Sequence, residues 1–237
     1  MLTRYQNVND DNESIEVGVN LEFEKESYET FAQNVLWIFL KIREGSADEL
    51  TLLLELLEEL NSSLKEKLEA TLAGYRVVDG WFEIYFYAYS AKKFENITAS
   101  VVGSKYSYEV GSYKDTKYKL YFDELYPDEM QFLQIRNSDI ISSLHAAGDN
   151  HEAIREVEHY LFFPTKSNAQ RAISKAQSLE FTCKEELVDD ESELRHAIVL
   201  TQVHSVTPEV VDTITKELMQ LAMDEHGLYE GWSTTLA

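Results

Sequence analysis

The order of strand-forming and helix-forming segments constrains this chain most, because each half follows strand–helix–strand–strand–helix–strand. In the first half, the apolar run from Val35 to Ile42 predicts a central strand covered on both faces. Asp79-Gly80 lies between two strand-forming segments and predicts a β-hairpin. We therefore predict an α+β chain of two ferredoxin-like (split βαβ) α/β sandwich domains with antiparallel sheets.

Three segments near the start of the first half have patterns that predict local structure. Residues 1–13 are polar, and we expect them to be mobile. Residues 15–23 alternate apolar and polar side chains, which predicts a half-buried strand. Ser46 and Glu49 fit a capping box at the start of a helix whose leucines recur on one face.

A change in composition near Pro127 marks the junction of the halves, because tyrosines are concentrated before it. We predict an N-terminal domain over residues 1–125, a helical linker over 126–150 and a second domain over 151–237. Strands are predicted in the second domain over residues 155–163, 181–188, 194–206 and 228–235.

The charge of the chain restricts its partners. The 237 residues include 21 Lys and Arg against 43 Asp and Glu, a formal net charge of −22. Such a charge repels phosphate backbones and anionic lipids, so we expect neither direct nucleic-acid binding nor membrane binding. A single cysteine, Cys183, makes no internal disulfide, and no apolar segment has the length of a signal peptide or a membrane span. We therefore expect a cytoplasmic protein.

The sequence contains no motif typical of a cofactor, metal or catalytic site. The glycines are scattered, so no phosphate-binding loop is predicted. His151-Glu152 begins like a helical zinc motif, but Arg155 stands where the second histidine is needed. We therefore predict no cofactor, no metal and no enzymatic activity.

Two other functions stay open at this point. A small-molecule enzyme would need a pocket at the domain junction, with a histidine such as His145, His151 or His159 within hydrogen-bond reach of a carboxylate. A single-stranded RNA binder would stack bases on a tyrosine-rich sheet face. The residues of that face are Trp81, Tyr85, Tyr87 and Tyr89.

Short motifs in the second half resemble the type B regulator of ribonuclease E activity, an acidic family with a ferredoxin-like fold. They are the segments 148–149 (Gly-Asp) and 155–159 (Arg-Glu-Val-Glu-His), followed by Phe163, and the segment 229–234 (Tyr-Glu-Gly-Trp-Ser-Thr). The last is the most specific, and Ser233 stands there where the family commonly has glycine.

The first half is similar to a bacterial domain of unknown function that occurs fused to this regulator. The resemblance rests on residues 80–87, which contain Gly-Trp followed by alternating Glu, Tyr and Tyr. The junction 124–127 and the helix with Gln134 and Asn137 resemble the linker of that fusion.

The resemblance implies a non-enzymatic, acidic protein-interaction module that binds a basic protein partner, such as a ribonuclease E-type endoribonuclease, and inhibits RNA cleavage. The candidate partner-binding residues are Glu158, His159, Tyr229, Gly231 and Trp232. Glu158 and His159 lie on opposite faces of one strand, so at most one shares an exposed patch with Trp232. From the residues alone, Trp232 is either such an aromatic anchor or a core residue packed across the strand.

Overall fold

A computed structural model describes residues 2–8, 14–23, 32–43, 48–189 and 191–237. It divides the chain into two units, Met1–Gln131 and Phe132–Ala237. Each unit contains an antiparallel sheet and helices, which confirms the predicted α+β class with two domains. The domain limits at residues 125 and 150 stay a prediction.

The described part of the first unit contains a six-stranded sheet in the order β1-β2-β4-β5-β3-β6. Its elements in chain order are β1 (Thr3–Val8), β2 (Ser14–Val19), β3 (Asn34–Lys41), α1 (Glu49–Leu68), β4 (Thr71–Val78), β5 (Trp81–Ala88), α2 (Phe94–Val102), β6 (Tyr108–Lys114) and a π-helical turn (Leu120–Leu125). Strands β3 to β6 with α1 and α2 form the split βαβ arrangement, and the hairpin of β1 and β2 extends the sheet beside β4.

Strand β1 shows that the expectation of a mobile N-terminus was wrong for residues 3–8. This strand pairs with β2 over its whole length. Tyr5 is buried, and its hydroxyl donates a 2.9 Å hydrogen bond to the carbonyl oxygen of Leu125. Residues 9–13 lie outside the described residues, as does Ser46 of the predicted capping box.

The second unit contains a four-stranded antiparallel sheet in the order β10-β7-β9-β8. Its elements are β7 (Arg155–Phe163), α4 (Lys166–Ser178), β8 (Thr182–Val188), β9 (His196–His204), α5 (Pro208–Asp224) and β10 (Leu228–Thr234), preceded by α3 (Glu129–Ala146), which begins just before the division between the units. This order is that of a ferredoxin-like fold. The Thr165 hydroxyl caps α4 by accepting a 3.2 Å hydrogen bond from the Asn168 N–H.

Strand β10 contains a β-bulge that determines which of its side chains face the core. Tyr229 lies opposite Leu161 and Gly231 lies opposite Tyr160, so Glu230 is an extra residue without a partner position. Tyr229 and Trp232 therefore lie on the same side of the sheet although they are three residues apart. Both are buried on the side covered by helices.

Candidate functional site

The five predicted partner-binding residues lie on the adjacent strands β7 and β10. Trp232 pairs with His159, and Ser233 pairs with Glu158, so Glu158 and His159 do lie on opposite faces. His159 is 0% exposed, and Tyr229 and Trp232 are each 5% exposed. Of the five, Glu158 and Gly231 are the ones with partial solvent exposure. Three of the five therefore lie beneath the surface. The role of this set in partner binding stays a prediction.

Trp232 is bound to helix α3 by a buried polar network. Its indole Nε1–H donates to Asn137 Oδ1 at 2.9 Å. The Asn137 amide nitrogen donates to Asp212 Oδ1 and Thr215 Oγ1 of helix α5, each at 2.8 Å. The indole also packs in an apolar cluster that joins α3, α5 and the sheet: Ile141, Val157, Val206 and Val211. This arrangement favours the interpretation of Trp232 as a core residue.

Asn137→Ala is expected to lower the free energy of unfolding by about 2 kcal/mol, because the buried indole N–H of Trp232 loses its acceptor. Denaturant unfolding followed by circular dichroism measures the change. Ser138→Ala, at the exposed neighbouring position, is the control and should change stability by less than about 0.5 kcal/mol. Equal stability of the two variants would contradict the network.

A second buried network runs through three aromatic side chains. The Tyr229 hydroxyl lies 3.0 Å from His159 Nδ1, and His159 Nε2 lies 3.4 Å from His204 Nε2. His204 Nδ1 lies 2.6 Å from the carbonyl oxygen of Ser205. Because a carbonyl oxygen only accepts, His204 Nδ1 carries a proton, which makes neutral His204 Nε2 an acceptor. His159 Nε2–H then donates to it, and Tyr229 donates to His159 Nδ1.

The direction of this network requires both imidazoles to be neutral. Burial lowers the pKa of His159 to about 3, and the neighbouring His204 adds to the decrease. Burial also lowers the pKa of His204, partly offset by its hydrogen bond to the Ser205 carbonyl. Burial raises the pKa of the Tyr229 hydroxyl, which stays protonated and donates. At neutral pH every member of the network therefore has the protonation state that its hydrogen bonds need.

The loop before β7 is held by Asp149. Its carboxylate accepts a 2.6 Å hydrogen bond from Arg155 Nη2 and a 2.8 Å hydrogen bond from the Ala237 N–H, and His151 Nδ1 lies at 3.3 Å. A histidine beside a carboxylate is what the enzyme hypothesis requires. Here the Arg155 guanidinium and the Ala237 N–H already hydrogen-bond to the Asp149 carboxylate, and the Asp149 side chain is 0% exposed. The cluster therefore fixes the loop. Over the described ranges, no three His, Cys, Asp or Glu side chains are grouped to hold a metal, and no helix is both long and apolar enough to cross a membrane.

The tyrosine-rich face of the first unit differs from the surface that RNA stacking needs. Tyr85 is 3% exposed and Tyr87 is 0% exposed. The Tyr87 ring packs 4.9 Å from Phe23, and its hydroxyl donates to Asp115 Oδ2 at 2.7 Å. Tyr89 is 53% exposed but lies after the end of β5. The predicted four-residue stacking face is therefore not present, because its two central tyrosines belong to the core.

Sequence reasoning did not predict the contacts made by Arg136, Asn137 and His204. Arg136 Nη1 donates to the Glu230 carbonyl oxygen at 2.7 Å, at the bulge of β10. His204 meets His159 only because strands β7 and β9 are neighbours. A polar residue on a helix and a histidine at a strand end give no sequence signal for such contacts.

Comparisons with known proteins bear on both units. The family model described as Regulator of ribonuclease activity B matches residues 134–234. The model of a family of unknown function (DUF695) matches residues 3–126. Among curated proteins, none matches the chain.

Solved structures with some similarity are remote. An unknown protein from Galdieria sulphuraria has 9% identity and a TM-score of 0.24, covering 84% of this chain and 96% of its own. Protein BT0572 from Bacteroides thetaiotaomicron has 7% identity and a TM-score of 0.20, covering 84% and 92%. Likenesses this weak bear on neither the fold nor the function.

Proposed function

Because the chain belongs to the family of unknown function DUF695 through residues 3–126 and carries a Regulator of ribonuclease activity B domain over residues 134–234, we propose that it regulates a ribonuclease by binding to it. The family match carries this proposal. Three residues of the motifs that resemble that family, Asp149, Arg155 and Trp232, take part in the Asp149 cluster and the Trp232 network of the second unit. The expected location is the cytoplasm.

The target we propose is a ribonuclease E-type endoribonuclease, contacted through its basic, RNA-binding segments. Support comes from the charge of the chain, which is −22 overall; residues 126–237 carry 8 basic and 20 acidic side chains. An acidic surface attracts a basic segment of the nuclease. It competes there with RNA, since the acidic surface and the RNA backbone both carry negative charge. The same charge opposes direct binding of RNA by this chain.

Binding and inhibition are measured with the full chain and a purified ribonuclease E-type enzyme that retains its arginine-rich region. We expect a complex at about 0.1 M salt that weakens as salt increases, because the attraction is between exposed charges. Cleavage of a single-stranded RNA should slow as the chain is added. An unrelated protein of similar net charge is the control for non-specific inhibition.

A gel-shift measurement with the same RNA distinguishes nuclease binding from RNA binding. The chain alone should leave the RNA unshifted. Inhibition accompanied by a shifted RNA band would mean that the chain sequesters the substrate. Absence of any complex with the nuclease at low salt would contradict the proposed target.

A further inference from the structure

The sheet of the second unit has a second face, opposite the one that packs against its helices, which we call the open face. On this face four apolar side chains lie side by side in one row across the strands, in the order Leu228, Phe162, Ala197 and Leu187. We call them the apolar row. Leu228 is 52% exposed and Leu187 is 48% exposed, while Phe162 and Ala197 are half-buried. A row of this kind spans the full width of the sheet.

Carboxylates lie beside the apolar row on the same face. Glu158 pairs with Thr201, and Glu185 pairs with Val199, two positions along β9 from Ala197. Glu156 lies one further step along β7 on this face, six residues from Phe162 and about 20 Å from the apolar row along the strand direction. We call Glu156, Glu158 and Glu185 the acidic group. One cation, Lys184, pairs with Glu156 and Glu158, so the group keeps an excess of negative charge.

Glu158 is the best-defined member of the acidic group. It accepts hydrogen bonds from Lys184 and from the Tyr160 hydroxyl, the latter at 2.9 Å. These bonds lower the pKa of Glu158, so the side chain is ionised at neutral pH. The Tyr160 hydroxyl also contacts Ser233 Oγ at 2.7 Å, which connects β10 to the same hydrogen-bond network. The open face thus has an apolar side and an acidic side, and hydrogen bonds hold the Glu158 carboxylate of the acidic side in place.

An apolar row bordered by carboxylates selects one kind of occupant. Exposed apolar side chains that adjoin one another are typical of interaction surfaces. A second copy of this chain is disfavoured because each copy carries a formal charge of −22. A partner with both apolar and cationic side chains satisfies the row and the carboxylates together.

We propose that this open face binds a segment of a partner protein in which an apolar stripe is flanked by lysine or arginine. The apolar stripe covers the apolar row, and the cationic side chains pair with the acidic group. The proposal rests on the proposed function and names the surface that it uses. Glu158 is the one predicted partner-binding residue that contributes its charged side chain to this surface.

Two double variants test the surface, each with a control on helix α5. Glu156→Lys with Glu185→Lys reverses charge on the open face, and Glu209→Lys with Glu217→Lys makes the same charge change on exposed positions of α5. Leu187→Ser with Leu228→Ser interrupts the apolar row, and Met223→Ser replaces a 51% exposed residue of α5. Unchanged circular dichroism and thermal midpoints establish that the variants are folded.

Affinity is measured with two probes. One is the nuclease used above, and the other is a synthetic peptide in which a stripe of leucines is flanked by arginines. We expect both open-face variants to bind each probe about tenfold more weakly, and both α5 variants to bind as the parent does. The peptide should also shift amide resonances of β7 to β10 in the full chain. A scrambled peptide of the same composition is the control for charge alone.

The outcomes separate the two proposals. If the nuclease binds and the open-face variants bind it normally, the surface is wrong and the proposed function stands. If the nuclease does not bind while the peptide binds the open face, the proposed target is wrong and the surface stands. If neither probe depends on the open face, the surface is overturned. It is also overturned if sedimentation finds a dimer that Leu187→Ser with Leu228→Ser abolishes, since a second copy would then be the occupant.

Discussion

Replacing Trp232 by alanine is expected to lower the free energy of unfolding of the second unit by about 3–5 kcal/mol. The indole is 5% exposed and contributes to the cluster that joins helix α3, helix α5 and the sheet. Its loss leaves a cavity among Ile141, Val157 and Val211 and removes the donor to Asn137. The transfer of apolar surface, the cavity and the unpaired amide all act in the same direction.

The tryptophans of this chain make the effect of Trp232→Ala measurable unit by unit. The other two, Trp37 and Trp81, belong to the first unit, so tryptophan fluorescence of the variant follows that unit alone. Circular dichroism follows the helices of both units. We expect an early circular-dichroism transition at lower denaturant concentration, with no matching fluorescence change. Met223→Ala, at a 51% exposed position, is the control. A circular-dichroism curve like that of the parent would contradict the buried role of Trp232.

Acid is expected to destabilise the second unit through His159 before it protonates most carboxylates. In the folded chain burial lowers the pKa of His159 to about 3, whereas an unfolded histidine titrates near 6.5. Below pH 6.5 the unfolded chain therefore binds a proton that the folded chain does not, and stability falls as the pH falls. For this one group the loss is about 3 kcal/mol between pH 7.5 and pH 4.5.

The geometry around His159 explains why its imidazole stays neutral in the folded chain. Tyr229 of β10 and His204 of β9 occupy its two ring nitrogens, and the Phe181 ring lies edge-on at 5.6 Å. Burial lowers the pKa of His204, and the positive charge of Arg155 also lowers it. Protonation of His204 would place a second hydrogen between the facing Nε2 atoms, and protonation of His159 would place a hydrogen on Nδ1, where the Tyr229 hydroxyl donates. Either change breaks a hydrogen bond of the network.

Unfolding free energies of the parent and of His159→Gln, measured from pH 7.5 to pH 4.5, test this dependence. The variant is expected to be less stable at pH 7.5 but to lose about 3 kcal/mol less on acidification. His226→Gln, at an exposed position, should keep the slope of the parent. Equal slopes for His159→Gln and the parent would show that His159 is not the group responsible.

Local pattern predicted the framework of both units well. Alternation along residues 81–88 places Phe82, Ile84 and Phe86 on the face opposite Tyr85 and Tyr87, and these three side chains lie in the core that packs against α1 and α2. The strand from Arg155 to Phe163 is confirmed at both ends. These elements are predictable because the period of two along a strand is set by backbone geometry and not by distant contacts.

The missed features depend on tertiary contacts. Strand β1 contains few apolar side chains, and its order comes from pairing with β2 and from the bond of Tyr5 to Leu125. The facing of His159 and His204 follows from strand order, and Trp232 meets Asn137 across 95 sequence positions. The open alternative of an RNA-stacking face needed an exposed Tyr87, but packing against Phe23 covers this ring. A side chain's face is readable from the sequence, but what covers that face is not.

The extra residue in β10 makes this strand tolerant of a change in length. Without Glu230, ordinary alternation would still carry Tyr229 and Trp232 inward, because one outward position would separate them. The indole would keep its place beside Asn137, and the loss would be confined to the contact of Arg136 with the Glu230 carbonyl oxygen. A deletion between Trp232 and the end of the strand has no such compensation. Deleting Glu230 from this chain should therefore cost less stability than deleting a residue between Trp232 and the end of the strand.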